Sequence, residues 1–187
     1  ELDKLFAAAG EKFGGLDFVV HSIAFANRDD LQPGAFVKTS REGFRLALDV
    51  SAYSLVAIAN RARELMPAGG SIIAMTYLGG ERVVPGYNIM GVAKAALDCS
   101  MRYLASDLGE KGIRINCISA GPLRTLSSSA VGGIDDMLGA FAAKAPLRRK
   151  IEADEVGKTA VYLLSDLSSG VTGETIFVDA GFHTLGA

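Results

Sequence analysis

The sequence predicts an α/β fold, a doubly wound parallel sheet covered by helices on both faces, and three observations carry that reading. Short β-branched apolar runs alternate with longer stretches in which apolar residues recur every three or four positions. The short runs are apolar at consecutive positions, as strands buried on both faces must be. No repeat, low-complexity tract or proline-rich linker breaks the alternation, so residues 1–187 read as one domain.

The elements follow in order. Leu2, Leu5 and Phe6 fall at helical spacing until Gly14-Gly15 ends the pattern. FVVHSIAF at 18–25 is the first strand, and a helical pattern over 40–66 follows it. SIIAMT at 71–76 is the second strand, and a helical pattern over 86–110 is entered through the turn Pro85-Gly86. RINCIS at 114–119 is the third strand. Then SSAVGGIDDMLGAF at 128–141 mixes glycine with amphipathic spacing, the composition of a lid, placed at 127–142. A helix over 153–165 and the strand TIFVDA at 175–180 complete the chain. Right-handed crossovers would gather the carboxyl ends of the strands along one edge, where ligands of such sheets bind. Those ends read HSIAFA (21–26), TYLGG (76–80), SAGPLRTL (119–126) and DAGFHT (179–184).

Composition excludes several functions. With a formal net charge of −2 and a pI near 5.7, there is no excess of Lys and Arg to displace counterions from a nucleic-acid backbone. Cys99 and Cys117 lack CxxC spacing and clustered histidines, which argues against a metal site and a disulfide framework and suits a reducing cytoplasm. The longest apolar runs have strand length, so no membrane span is expected.

The strongest chemical signal is YNIMGVAK, Tyr87 to Lys94. On a single helix seven residues make about two turns, placing both side chains on one face about 10 Å apart. An ammonium near a phenol favours the ionised phenol, so Tyr87 is expected to stabilise an oxyanion while Lys94 also grips sugar hydroxyls. The rival reading is an amphipathic helix with a surface lysine.

These residues resemble the short-chain dehydrogenase/reductase superfamily, and within it the bacterial enoyl-acyl-carrier-protein reductases. Most members carry Tyr-x3-Lys, which would need tyrosine at position 90, where this sequence has Met90. Enoyl reductases carry Tyr-x6-Lys, matched by Tyr87 and Lys94, with a second tyrosine ten residues earlier, matched by Tyr77 where other members have serine. The resemblance covers essentially the whole chain and implies a Rossmann-like sheet. It implies reduction of trans-2-enoyl thioesters on acyl carrier protein by NADH or NADPH, a step of fatty acid biosynthesis, in a cytoplasmic homotetramer. It also implies catalytic roles for Tyr77, Tyr87 and Lys94. Ser22, Ile23, Lys94, Leu123, Arg124, Thr125, Leu126 and Ser127 would bind the cofactor, with Pro122 fixing the backbone before that loop. Ala26, Tyr77, Tyr87 and Met90 would face the acyl substrate, and Ile134, Met137, Leu138 and Phe141 in the lid are candidates for that pocket or for the buried face of a short helix.

Dinucleotide sheets open with a strand and a GxGxxG turn that holds the pyrophosphate. The sequence contains neither, so the chain reads as the C-terminal part of such a fold, or as one whose missing strands are supplied elsewhere. The residue that selects NADH or NADPH would follow that strand, which leaves the choice open. A ketoreductase and a non-catalytic homologue are the rival functions.

The remaining candidates have plainer readings. His21 reads as a hydrogen-bonded core residue and His183, near the C-terminus, as non-catalytic, Asp29-Asp30 as a solvated loop or turn, and Arg148-Arg149-Lys150 as a solvated charge run or a contact for the acidic carrier protein.

Overall fold

The computed structural model describes residues 1–124 and 134–186, with residues 134–137 described in backbone only. Strands β1 (Phe18–His21), β2 (Gly70–Thr76), β3 (Ile113–Ala120) and β4 (Thr175–Val178) form a parallel sheet in that order. The helices are α1 (Leu2–Phe13), α2 (Arg41–Leu48), α3 (Ser54–Ala62), α4 (Ile89–Gly109), α5 (Ile134–Lys144) and α6 (Ala153–Leu164). This is the parallel α/β architecture read from the sequence. No described helix is long and apolar enough to cross a membrane.

On the central strands, successive side chains enter different cores. Ile72, Ala74, Ile113, Ile115 and Cys117 pack with Leu55 and Ala59 of α3 and with Leu97 and Met101 of α4. Ile73 and Ile118 pack on the opposite face with Leu163 of α6. Each strand serves a helix layer on either side, which is why apolar residues fall on both of its faces, as Ile72 and Ile73 or Cys117 and Ile118 do. A fully buried isoleucine contributes about 1.5–3 kcal/mol, and a one-residue slip would exchange the two cores, so the register is firmly set.

Several expectations change. β1 ends at His21, because its pairing with β2 stops at His21 opposite Ala74 and the chain then leaves the sheet. β4 likewise stops at Val178, where the Asp179 carboxylate takes over and accepts from the backbone N–H of Gly181 and His183. The stretch over 40–66 is helical but not one α-helix, since a π turn, Asp49–Tyr53, separates α2 from α3. The helix expected from position 86 starts at Ile89. The crossovers also do not share one hand. The strands run consecutively across the sheet while α3 and α4 cover one face and α6 the other, so the β3-to-β4 connection turns opposite to the first two.

The end of α6 is tied to the start of β3. The Arg114 guanidinium donates to the carbonyls of Leu163 (3.0 Å) and Ser165 (3.1 Å) and to the Ser168 hydroxyl (2.8 Å). Carbonyls in the last turn of a helix have no partner within the helix and need such a donor. Arg114→Met should therefore lower stability by about 2–3 kcal/mol, read from urea unfolding. A loss below about 0.5 kcal/mol, the size of an ordinary surface substitution, would mean the carbonyls are satisfied without it.

Candidate active site

Because all the strands are parallel, their carboxyl ends share one edge, and the candidate site lies at the end of β2. Tyr77 follows β2 in extended backbone, and the tight turn Leu78–Gly80 then folds the chain onto α4. Only glycine fits there. A Cβ on Gly79 would stand 2.4 Å from the Tyr87 ring, and one on Gly80 would stand 2.9 Å from the Ala95 nitrogen. From the helix side, a Cβ on Gly91 would stand 2.6 Å from the Gly79 carbonyl oxygen.

Tyr87 lies in the turn before α4 and not on the helix, which corrects the expectation of one shared helix face. The turn is held by Asn88, whose backbone has φ 45° and ψ −120°. Its side-chain amide donates to the carbonyls of Asp30 (2.9 Å) and Gln32 (2.7 Å). A short polar side chain that can bond nearby backbone tolerates such a positive φ better than most. The turn lays Tyr87 against Tyr77, ring centroids 4.9 Å apart and planes at 71°, an edge-to-face contact. Lys94 arrives from the first turns of α4, is buried, and donates from Nζ to the Met75 carbonyl at 2.7 Å. One ammonium proton is used in that bond and two remain. Tyr77 and Tyr87 therefore touch just past the end of β2, while Lys94 is anchored to the Met75 carbonyl two residues before Tyr77.

Burial governs the charges. It raises the Tyr87 phenol well above its ordinary pKa, reinforced by Tyr77 and Asp98, and it raises Tyr77 as well. Burial thus acts on the Tyr87 phenol in the direction opposite to that expected from a nearby ammonium and keeps it protonated. Burial also lowers the Lys94 pKa, opposed by Cys117 and Asp98. Asp98, one helical turn beyond Lys94 and itself buried, is raised by burial, with Thr76, Cys117 and Lys94 opposing that shift and Glu81 adding to it.

Other predicted residues are distributed as follows. Ser22 and Ile23 are exposed just past β1, and Ala26 is half-buried. Met90 is buried, its sulfur 3.7 Å from Ser51 Oγ. Pro122 and Leu123 are half-buried and Arg124 exposed just past β3. Thr125, Leu126 and Ser127 lie outside the described residues, as do the side chains of Ile134 and Met137. Leu138 is buried. Phe141 stacks on Phe182 at 4.9 Å and packs with Ala145, Ile151 and Ala180, the buried-face reading of that helix.

The plainer readings also find their places. His21 is buried, with Nε2 2.8 Å from Ser54 Oγ, whose own proton goes to the Val50 carbonyl at 2.6 Å. His183 stacks on Phe177 at 4.0 Å and bonds Asp179. Asp30 accepts from the Asn27 amide, and Arg149 pairs with both oxygens of Glu155. The sequence reading missed Asn88, Asp98 and Ser51. Only Asp98 leaves a visible signal, an acid four residues after Lys94 on a largely apolar helix face.

A cavity of about 410 Å³ opens beside Tyr87, between residues 81–85 and α4, with Val84, Pro85 and Val92 in its wall. Neither Tyr77 nor Lys94 lines it.

A parallel α/β sheet with two touching tyrosines and a buried lysine at a strand end defines a short-chain dehydrogenase/reductase. A family model described as enoyl-(acyl carrier protein) reductase matches residues 1–183. The enoyl-acyl-carrier-protein reductase (NADPH) FabI of Staphylococcus aureus strain MRSA252 is 59% identical over 180 residues, 96% of this chain and 70% of that protein. The NADH-named FabI of Bacillus cereus is 56% identical over 186 residues, 100% of this chain and 72% of that protein. The crystal structure of the Bacillus cereus reductase with NADP+ and indole naphthyridinone superposes with a TM-score of 0.97 at 56% identity, covering 100% of this chain and 72% of that one. The chain belongs to the enoyl-(acyl carrier protein) reductase family.

Two outcomes test this geometry. Gly79→Ala should displace the Tyr87 ring and lower turnover by about a hundredfold while the fold persists, since a 1 Å misplacement costs about that much. Unaltered turnover would mean that the Tyr87 position is irrelevant to the reaction. Burial, then Lys94, pushes His21 from the ordinary 6.5 down to about 4. Between those values the unfolded chain binds a proton that the folded chain refuses, so stability falls as pH drops through that window, by up to about 3 kcal/mol. His21→Gln should remove that part of the slope in urea unfolding measured across the window, and an unchanged slope would assign it to other groups.

Proposed function

We propose that this chain reduces the carbon–carbon double bond of trans-2-enoyl thioesters carried on acyl carrier protein, with NADH or NADPH as reductant, in cytoplasmic fatty acid biosynthesis. The observation that carries the reading is the contact of Tyr77 with Tyr87 just past β2, with the buried Lys94 bonded to the same strand at Met75, in a chain 59% identical to a named enoyl reductase.

The residues suit a dinucleotide. After bonding the Met75 carbonyl, Lys94 keeps two protons for ribose hydroxyls. Ser22 and Ile23 offer accessible chain on the adenosine and ribose side, while Leu123 and Arg124 open the loop toward the nicotinamide, which Thr125, Leu126 and Ser127 are expected to continue. When bound, the reduced nicotinamide supplies the hydride for the β-carbon of the acyl chain.

Negative charge then gathers on the thioester oxygen, and the Tyr87 hydroxyl donates to it. A phenol kept protonated by burial is suited to this task, since it offers its proton as a fixed hydrogen bond where water is excluded. Lys94 holds the local potential positive. Tyr77, edge-on to Tyr87, keeps that ring in place and borders the thioester. Ala26, Met90, Ile134 and Met137 are assigned to the acyl chain. A ketoreductase would need a phenol at position 90, and the buried Met90 thioether has no proton to give. A homotetramer is part of the proposal, supported by the exposed Tyr53 and Tyr103 on the helical face.

Tyr87→Phe should lower kcat on a crotonyl thioester by about 10²–10³-fold, as loss of one oxyanion donor does, with cofactor affinity kept within about twofold. Lys94→Ala should weaken cofactor binding by about tenfold, read from dihydronicotinamide fluorescence. Equal, small effects from both would contradict the assignment.

A further inference from the structure

Past His21 the segment 22–26 has left the sheet, and its backbone groups no longer have a neighbouring strand. Ser51, fully buried on the π turn, meets both groups of one residue there: its Oγ accepts from the Phe25 N–H at 2.9 Å and donates to the Phe25 carbonyl at 3.1 Å. One hydroxyl does for Phe25 what a strand neighbour does in a ladder. Ser54, three residues on, bonds His21, so both ends of the segment are tied to one stretch of helix. Ser51 Oγ also lies 3.7 Å from the Met90 sulfur. The wide turn makes this reach possible, since a π turn departs from the regular helical ladder and such turns concentrate at functional sites.

We propose that Ser51 is a positioning residue that sets the 22–26 segment against Met90 and thereby the fit of the acyl thioester. This rests on the reductase reading above. In Ser51→Ala, hydrogen exchange of the Phe25 amide should quicken about tenfold while the Val19 and Val20 amides of β1 keep their rates. The KM for crotonyl thioester should rise about fivefold to tenfold with kcat within about twofold, the pattern of lost ground-state fit. Ser51→Thr, which restores a hydroxyl, should recover both values. If Ser51→Ala does not fold, Ser51→Cys, with its weak donor, takes its place in the same measurements. Unchanged Phe25 exchange, or an unchanged KM in an active enzyme, overturns this proposal alone. A wild-type chain without enoyl reduction overturns the reductase reading and this proposal together.

Discussion

The close approach between the turn after β2 and the first turns of α4 is the constraint on which the site depends. Gly79, Gly80 and Gly91 let two backbones come so near that a single methyl would collide with a carbonyl, an amide or the Tyr87 ring. That contact places Tyr77 and Tyr87 against one another and brings Lys94 within reach of the strand it bonds. Interiors packed at crystal density transmit such displacements and do not absorb them, so the positions of these side chains follow from the glycine contact.

Burial then determines what the gathered groups are. Two phenols, an ammonium, a carboxylate and a thiol are buried between α4 and the strands β2 and β3, with Asp98 acting on Tyr87, Lys94 and Cys117. Charge is disfavoured for each of them alone. Lys94 and Asp98, one helical turn apart, oppose each other's shift toward neutrality, while the phenols and the Cys117 thiol remain protonated. The site thus combines a cation supported by a nearby acid with neutral hydroxyl donors, a pairing that water would level.

The strands were legible because burial on two faces puts apolar residues at consecutive positions, as at Ile72-Ile73-Ala74 and Cys117-Ile118. Tyr77, Tyr87 and Lys94 were legible through their spacing and a family resemblance, but the arrangement that unites them was not. Helical periodicity continues backward across Gly86 and Asn88, whose backbone angles end the helix without altering the apolar pattern. The end of β1 was hidden because Ile23 and Phe25 are apolar yet exposed, which periodicity cannot distinguish from a buried strand. The π turn was hidden too, since DVSAY keeps helical spacing, and a crossover's hand has no local signature at all.

That same turn gives the helix a hereditary joint. A helix absorbs a one-residue insertion as a bulge of this kind while its flanks stay in phase. One residue fewer at Asp49–Tyr53 would withdraw the Ser51 anchor while Ser54, on α3, and the seats of α2 and α3 on α4 stay in place. The seat of one loop thus hangs on a local count of residues and not on the interior beneath it.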